Sequence, residues 1–325
     1  MRILRGIPAA ADSAVALTVG NFDGVHLGHQ AMLAELMRSA RQHGLPACVM
    51  TFEPHPREFF APDQAPTRLT SLREKLELLA ARGIDRVYVC RFNYEFAQIS
   101  AQDFIERVLV RGLGVRWLLV GDDFRFGARR AGDFVTLKQA APRLGFEVAG
   151  MESVTSDGER VSSTAVRTSL AAGDLSRAAR LLGRAYSISG RVVRGDGLGR
   201  KLGFPTANVQ MKHNRPPLTG IFAVEVAGIG EQAMPGVASL GVRPTVKRQG
   251  QPVLEAHLFD FEGELYGRHV RVDFLRKFRD EEKYADLATL TRQIALDVEN
   301  AKAFFSCQDA KNAKEKLNGT ADKRR

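Results

Sequence analysis

Two histidines three residues apart, His26 and His29, follow a short apolar run and the glycine-rich turn Gly20-Asn21-Phe22-Asp23-Gly24-Val25, with Gly28 between them. Where a strand passes through such a turn into a helix, the first N–H groups of the helix lack intrahelical partners and bind anions. Two imidazoles there can hydrogen-bond a phosphate chain and offset charge as a leaving group departs. The pair also fits surface histidines after a turn, or metal ligands. A second cluster runs from Gly190 to Asn208. Its Gly195, Gly197 and Gly199 alternate and precede Arg200 and Lys201, so backbone N–H groups can wrap a phosphate with two cations at hand. Thr206 and Asn208 then offer hard oxygen ligands of the kind Mg²⁺ takes. The string lacks Gly-Lys-Ser/Thr and has no glycine where Arg200 stands, so it is neither common nucleotide fingerprint. A flexible hairpin with basic decoration is the plainer alternative. Arg167 lies one turn into a helix opened by Ser162 and Ser163, good N-cap residues. A guanidinium there can grip phosphate bidentately, or simply face water.

The elements that must hold these residues are legible as periodicity. Residues 15–19, 47–52, 87–90, 117–120 and 146–149 are short apolar runs bounded by glycine, proline or charge, and are predicted to be buried strands. Between them, Leu33, Leu36, Met37 and Ala40 follow helical spacing, Leu72, Leu76 and Leu79 share a face, and Phe104, Val108 and Arg111 extend a third pattern with Asp103 near its start. That alternation predicts a parallel sheet covered by helices on both sides. Residues 162–171 and 175–182 look like two short helices. From Tyr186 onward, alternation in 188–193, 222–226, 254–259 and 270–274 predicts a small antiparallel barrel. Turn signals fall at Gly195-Asp196-Gly197, Met234-Pro235-Gly236 and Glu262-Gly263, and a last helix carries Leu287, Leu290, Ile294, Val298, Ala301 and Phe305. The expected division is 1–183, 184–307 and a polar, lysine-rich tail 308–325 expected to be disordered, with no internal repeat.

Composition fits this organisation. The chain has 325 residues, 44% hydrophobic and 26% charged, as for a soluble protein of two domains. Lys plus Arg is 47 against 37 Asp plus Glu, a net charge of +10, which favours anionic ligands. Cys48, Cys90 and Cys307 form no CxxC pair and suggest no disulfide framework. No apolar run approaches the roughly 18 residues of a membrane span, and residues 1–8 have no signal-peptide apolar region. A cytoplasmic protein without a membrane partner is expected. The charge and the basic tail also admit an RNA-binding protein.

The ten residues from Gly20 to His29 resemble the HxGH signature of the nucleotidylyltransferase superfamily, in the version carried by bacterial bifunctional riboflavin kinase/FAD synthetases. Thr51-Phe52-Glu53-Pro54-His55-Pro56 resembles that family's flavin-side loop, Gly121-Asp122-Asp123-Phe124-Arg125-Phe126-Gly127 its glycine/aromatic loop, and Ser162-Ser163-Thr164-Ala165-Val166-Arg167 its SSTxxR motif. Pro205-Thr206-Ala207-Asn208 resembles the PTAN motif of the kinase module. Gly241-Val242-Arg243-Pro244-Thr245, Glu255 to Phe261, Leu265-Tyr266-Gly267 and Arg279 to Tyr284 follow in the family's order.

The resemblance implies an α/β nucleotidylyltransferase-type domain followed by a riboflavin kinase barrel with a C-terminal helix. It implies that His26, His29 and Arg167 act on ATP phosphates, with Gly20, Asn21, Phe22, Gly28 and Thr164 binding them. In the barrel it implies Gly195, Gly197, Gly199, Arg200 and Lys201 on phosphate, Thr206 and Asn208 on Mg²⁺, and Glu255 as base. Phe52, His55, Pro56, Asp123, Phe124, Phe126 and Arg279 would meet flavin, although phenylalanines at loop ends also serve as core. Some members carry Asn in place of Asp123, and an amide donates a hydrogen bond that a carboxylate cannot. The implied partners are riboflavin, FMN, FAD and ATP, with no nucleic acid. An adenylyltransferase with another acceptor, such as a nicotinamide or pantetheine phosphate, is the rival enzyme, and the PTAN barrel argues against it.

Overall fold

The computed structural model describes residues 1–212, 215–242 and 252–321. Arg243, Pro244 and Thr245 of the motif beginning at Gly241 lie outside the described residues. The chain forms two compact units, one of Met1–Ala165 with Leu181–Gly183, the other of Val166–Arg180 with Arg184–Arg325.

In the first unit, the elements in chain order are β1 (Arg2–Arg5), β2 (Val15–Val19), α1 (Leu27–His43), β3 (Ala47–Glu53), α2 (Pro56–Phe60), α3 (Leu72–Ala81), β4 (Arg86–Arg91), α4 (Phe104–Gly112), β5 (Val115–Gly121), α5 (Phe134–Leu144) and β6 (Glu147–Met151). A small hairpin, β7 (Thr155–Ser156) and β8 (Glu159–Arg160), precedes α6 (Ser163–Ala171) and α7 (Leu175–Leu182). Among the described residues six strands form a parallel sheet in the order β1-β4-β3-β2-β5-β6. All five residues of β2 are buried, as its central place requires. Val15, Leu17 and Val19 pack with Phe104, Val108 and Leu137 on one face, while Ala16 packs with Leu33, Leu36 and Leu79 on the other. The expected strands and helices are present. The edge strand β1 was not anticipated, because Arg2 and Arg5 mask its alternation. From β2 the chain steps outward to β3 and β4 on one side and then crosses over to β5 on the other, so the crevice beyond the carboxyl end of β2 is where ligands bind in such sheets.

The second unit is built on β9 (Tyr186–Val193), β10 (Ala207–Gln210), β11 (Gly220–Ala227), β12 (Met234–Val242), β13 (Pro252–Leu258) and β14 (His269–Arg279). They close as an antiparallel barrel, β10-β13-β12-β11-β14-β9. Phe222, Val224, Leu254, Ala256, Val272 and Phe274 are buried at 0–1% exposure, which makes the barrel's interior a packed core. Helix α8 (Leu287–Ala321) lays Val298 and Ala301 against Ile221 and Val237.

One expectation is corrected. Met234-Pro235-Gly236 is not a turn but the start of β12, paired with β11 and β13. A proline is tolerated at a strand's beginning, and a Cβ on Gly236 would overlap the His257 carbonyl across the ladder. Leu181–Gly183 group with the sheet and the chain from Arg184 onward with the barrel, and residues 166–180 group with the barrel as well. Gly173, between α6 and α7 with φ +75°, shows why: a Cβ there would lie 2.7 Å from Cδ of Lys277 on β14. Helix α8 continues through Gln308 to Ala321. Its Ala, Lys, Glu and Leu residues are strong helix formers.

Candidate active sites

The first site is the turn between β2 and α1. Phe22 (φ 49°) and Val25 (φ 40°) adopt the left-handed conformation, which is costly for a β-branched residue and persists only when its surroundings enforce it. The enforcement is visible. The buried Asp23 carboxylate accepts hydrogen bonds from Leu69 N (3.1 Å), Thr70 N (3.0 Å) and the Thr70 hydroxyl (3.1 Å). Gly24 N in turn donates to Thr70 Oγ1 at 3.1 Å, and the Ser163 hydroxyl donates to the Asp23 carbonyl at 2.9 Å.

This turn delivers His26 as the N-cap of α1, its Nδ1 accepting from His29 N at 3.3 Å. In the neutral ring the proton is therefore on Nε2. The two imidazoles stack with centroids 3.7 Å apart and planes 17° from parallel. Burial first, and then the neighbouring His26 and Lys75, hold the His29 pKa well below its ordinary 6.5, so the ring is neutral at physiological pH. Two polar atoms of the turn, Asn21 Oδ1 and His29 Nδ1, are buried without a hydrogen-bond partner. Such atoms are rare and point to a group that a ligand would satisfy. A Cβ on Gly28 would come within 3.2 Å of the His26 ring, so this glycine makes room for the imidazole. Gly20 similarly clears the Phe22 ring, at 3.1 Å.

The Phe22 side chain lies in the core, at 0% exposure, with its ring 5.0 Å from that of His29. Ser162 caps α6, its hydroxyl accepting from Ala165 N at 3.1 Å. Thr164 belongs to the first unit and Arg167, one turn further along α6, to the second.

The expected flavin residues divide. His55 is the N-cap of α2, its Nδ1 accepting from Arg57 N at 3.1 Å, and Pro56 opens that helix. Phe52 is half-buried and packs at 5.8 Å on Phe92 and 5.7 Å on Phe96. Phe124 is half-buried too, stacked at 5.5 Å on Phe126. Phe126 is buried, at 6% exposure against Phe104. Asp123 is exposed and pairs with Arg160 at 2.9 Å.

Sequence reasoning missed three features of this unit. Arg68 clamps Glu53 at the end of β3 (2.7 and 3.0 Å) to Glu58 of α2. Its guanidinium holds the Glu58 carboxyl below its ordinary range. Phe60, next to Phe59 and Phe92, is 66% exposed and forms an open aromatic surface. Lys75 of α3 is buried, and its position at i+3 in the stripe Leu72, Leu76, Leu79 was the available signal.

The second site is a cavity of about 520 Å³ in the second unit, lined by Gly197, Gly199, Thr206, Asn208, Glu255 and Arg279 among others. Alternate burial along β13 turns Leu254, Ala256 and Leu258 into the barrel and Val253, Glu255 and His257 outward to this cavity. Glu255 lies opposite Asn208 on β10 and Ser239 on β12. The glycines have a physical task. A Cβ on Gly195 would be 2.5 Å from the Asn208 amide, and one on Gly199 would be 3.2 Å from Thr206 Oγ1. Their absence lets the turn press on both oxygen-bearing side chains. Gly197, at φ +68°, makes the turn itself. Arg200 and Lys201 are exposed on the helical turn Leu198–Lys201.

Arg279 lines the cavity, but its donors are engaged elsewhere: Nε and an amino group by Asp297 at 3.0 and 2.6 Å, and the other amino group by the Asp280 carbonyl at 3.0 Å. The structure gives it an anchoring task, tying β14 to α8. Glu281, which sequence reasoning passed over, also lines the cavity. A Cβ on Gly241 would overlap its carboxylate, and burial, then the nearby Glu255, pushes its pKa up. His257 is fixed by Nδ1 against the Pro205 carbonyl at 2.8 Å.

Two places suited to phosphate chemistry, one in each unit, define this protein as an enzyme with two phosphate-transfer sites. Known proteins narrow that class. The chain matches the family model for FAD synthetase over residues 9–165 and that for riboflavin kinase over residues 182–305. It is 50% identical to the bifunctional riboflavin kinase/FMN adenylyltransferase of Escherichia coli strain K12 over 308 residues, covering 94% of this chain and 98% of that one. The Pseudomonas fluorescens protein of the same name is 51% identical, with 88% and 91% covered. A crystal structure of a macrolide-efflux protein from Streptococcus pneumoniae has a TM-score of 0.78 at 27% identity, with 91% and 97% covered. The chain belongs to the family of bifunctional riboflavin kinase/FMN adenylyltransferases. Among the described residues no helix is long and apolar enough to cross a membrane.

Proposed function

We propose that the barrel unit phosphorylates riboflavin with ATP and that the α/β unit transfers AMP from a second ATP to the resulting FMN, giving FAD and pyrophosphate. The observation that carries the kinase half is the cavity in which Glu255 faces Asn208. Riboflavin arrives as an alcohol. Its terminal ribityl oxygen attacks the γ-phosphorus of ATP, ADP departs, and Glu255 accepts the hydroxyl proton. Thr206 and Asn208 would hold Mg²⁺, a fit supported by their hard oxygens and by the glycines pressed against them. The ion would neutralise charge on the ATP phosphates. Gly197 and Gly199 border the same space and Arg200 and Lys201 follow them, as a phosphate-wrapping turn requires.

In the α/β unit FMN arrives as a phosphate already ionised, so no base is needed. Its oxygen attacks the α-phosphorus of ATP, and pyrophosphate leaves with its charge met by His26, His29 and Thr164. The chemistry is mainly alignment and charge stabilisation. The open aromatic surface at Phe60, beside the half-buried Phe52, suits a planar isoalloxazine ring. We place the enzyme in the cytoplasm, where buried Cys48 and Cys90, with thiols pushed up to about 12 by burial, would stay reduced and inert. Incubation with riboflavin and Mg·ATP, followed by flavin chromatography, should yield FMN and then FAD. Unchanged riboflavin, together with unchanged FMN in a parallel incubation, would overturn the assignment in favour of another acceptor or of a binding protein.

A further inference from the structure

The buried lysine of α3 is unused by the mechanism above. Lys75 is 5% exposed, on a helix face otherwise made of leucines. Among the described residues its ammonium makes one hydrogen bond, to Thr51 Oγ1 at 3.3 Å, and no ion pair within 4 Å. The Thr51 hydroxyl, itself at 0% exposure, donates a hydrogen bond to the Asn21 carbonyl at 3.2 Å. The order is therefore fixed: ammonium to hydroxyl to the backbone of the turn that carries the histidines. Burying a charge with a single neutral partner is costly, and a leucine or methionine would continue the apolar stripe without that cost. Burial indeed depresses the lysine's proton affinity, opposed by the Asp23 and Glu53 carboxylates nearby. The same turn holds the two partnerless atoms Asn21 Oδ1 and His29 Nδ1. Uncommitted ammonium protons and two partnerless polar atoms thus belong to the turn, its helix start and the helix packed on them.

We propose that Lys75 is a positioning residue for adenylyl transfer: through Thr51 its ammonium locks the Asn21 turn from which His26 and His29 project, and it sets a fixed positive charge beside His29. This rests on the reading of the α/β unit as the adenylyl-transferring one. A hydroxyl held by backbone contacts alone could rotate; held by an ammonium, it keeps its lone pair occupied and its proton on Asn21.

The test uses the full chain with Lys75→Met, which keeps the side chain's length and removes its charge, and Thr51→Val, which keeps the volume and removes the hydroxyl. FAD formation from FMN and ATP, FMN formation from riboflavin and thermal stability are measured for each. A misplacement of about 1 Å in such a site costs roughly 10²-fold in rate, so Lys75→Met should lower kcat for FAD by about that factor while the KM for ATP moves little. Kinase turnover should be unchanged, and Tm equal or higher, because a buried charge has been removed. Thr51→Val should lose part of the rate, and the double variant should be no worse than Lys75→Met alone, since both act on one path. FAD formation at the parent rate in Lys75→Met overturns the proposal. So does a loss that tracks a fall in Tm and in kinase activity, which marks a merely structural lysine. Additive losses in the double variant overturn the path through Thr51. A parent protein that makes no FAD from FMN overturns the reading of the unit and this inference with it.

Discussion

Asn208 and Glu255 are directly opposed across the β10–β13 ladder, although 47 positions separate them in the chain. Opposed residues on an antiparallel pair have side chains on the same face. The pairing therefore places an amide and a carboxylate side by side at the wall of one cavity, the pair to which we assign the cation and the proton. The register is secured on the other side as well, where Glu255 opposes Ser239.

Glu255→Gln keeps the shape of that wall and removes the charged proton acceptor. General bases contribute typically about 10²–10⁴-fold, so FMN formation should fall by that order. Adenylylation of supplied FMN should remain at the parent rate, which controls for folding. Undiminished phosphorylation of riboflavin would leave alignment and metal to carry the step without this carboxylate.

Replacing His26 and His29 together by alanine removes the stacked pair and the cap of α1. Loss of one preorganised donor costs roughly 10²–10³ in rate. Flavin chromatography should show FMN accumulating from riboflavin and FAD falling sharply, with kinase turnover intact. Normal FAD formation would return the histidines to an ordinary helix start.

Asp297→Asn should destabilise the second unit. It breaks a paired carboxylate that is 6% exposed and leaves the Arg279 guanidinium without its charge partner. Removing one partner of a buried pair costs about 3–5 kcal/mol, and the lower end applies because Arg279 retains 21% exposure. Urea unfolding followed through loss of kinase activity would measure it. A midpoint equal to that of the parent would show that α8 is held by its apolar contacts alone.

The Arg68 clamp gives a pH signature to the first unit. Glu58 titrates below its ordinary 4.5 because it is hydrogen-bonded to Arg68. Its contribution to stability is therefore complete above that ordinary value and lost as pH falls through the lowered one. Melting temperature of the parent should drop more steeply than that of Glu58→Gln on acidification below about pH 4.5. Parallel curves would mean that the clamp adds nothing.

Local chemistry carried much of this into the sequence. The strand, glycine turn and HxGH start of α1 lie within fifteen consecutive residues, from Val15 to His29, so their order alone specifies an anion site. The stripes of α1 and α3 and the alternation of β13 are periodicities of the chain itself. What the chain does not encode locally is who stands opposite whom. That Gly195 and Gly199 make room for the Asn208 and Thr206 side chains, that Gly28 makes room for the His26 ring and that Phe22 and Phe126 are buried all depend on close packing between segments. Arg279 looked free to meet a flavin because its partner, Asp297, lies on a helix whose docking no spacing reveals. Lys75 is the sharpest case. On an isolated helix it is one more lysine, and only burial against Thr51 and Asn21 turns it into a charge that must have a task. The free energy of a charge depends on the solvent it loses, and that quantity comes into being only when the chain has folded.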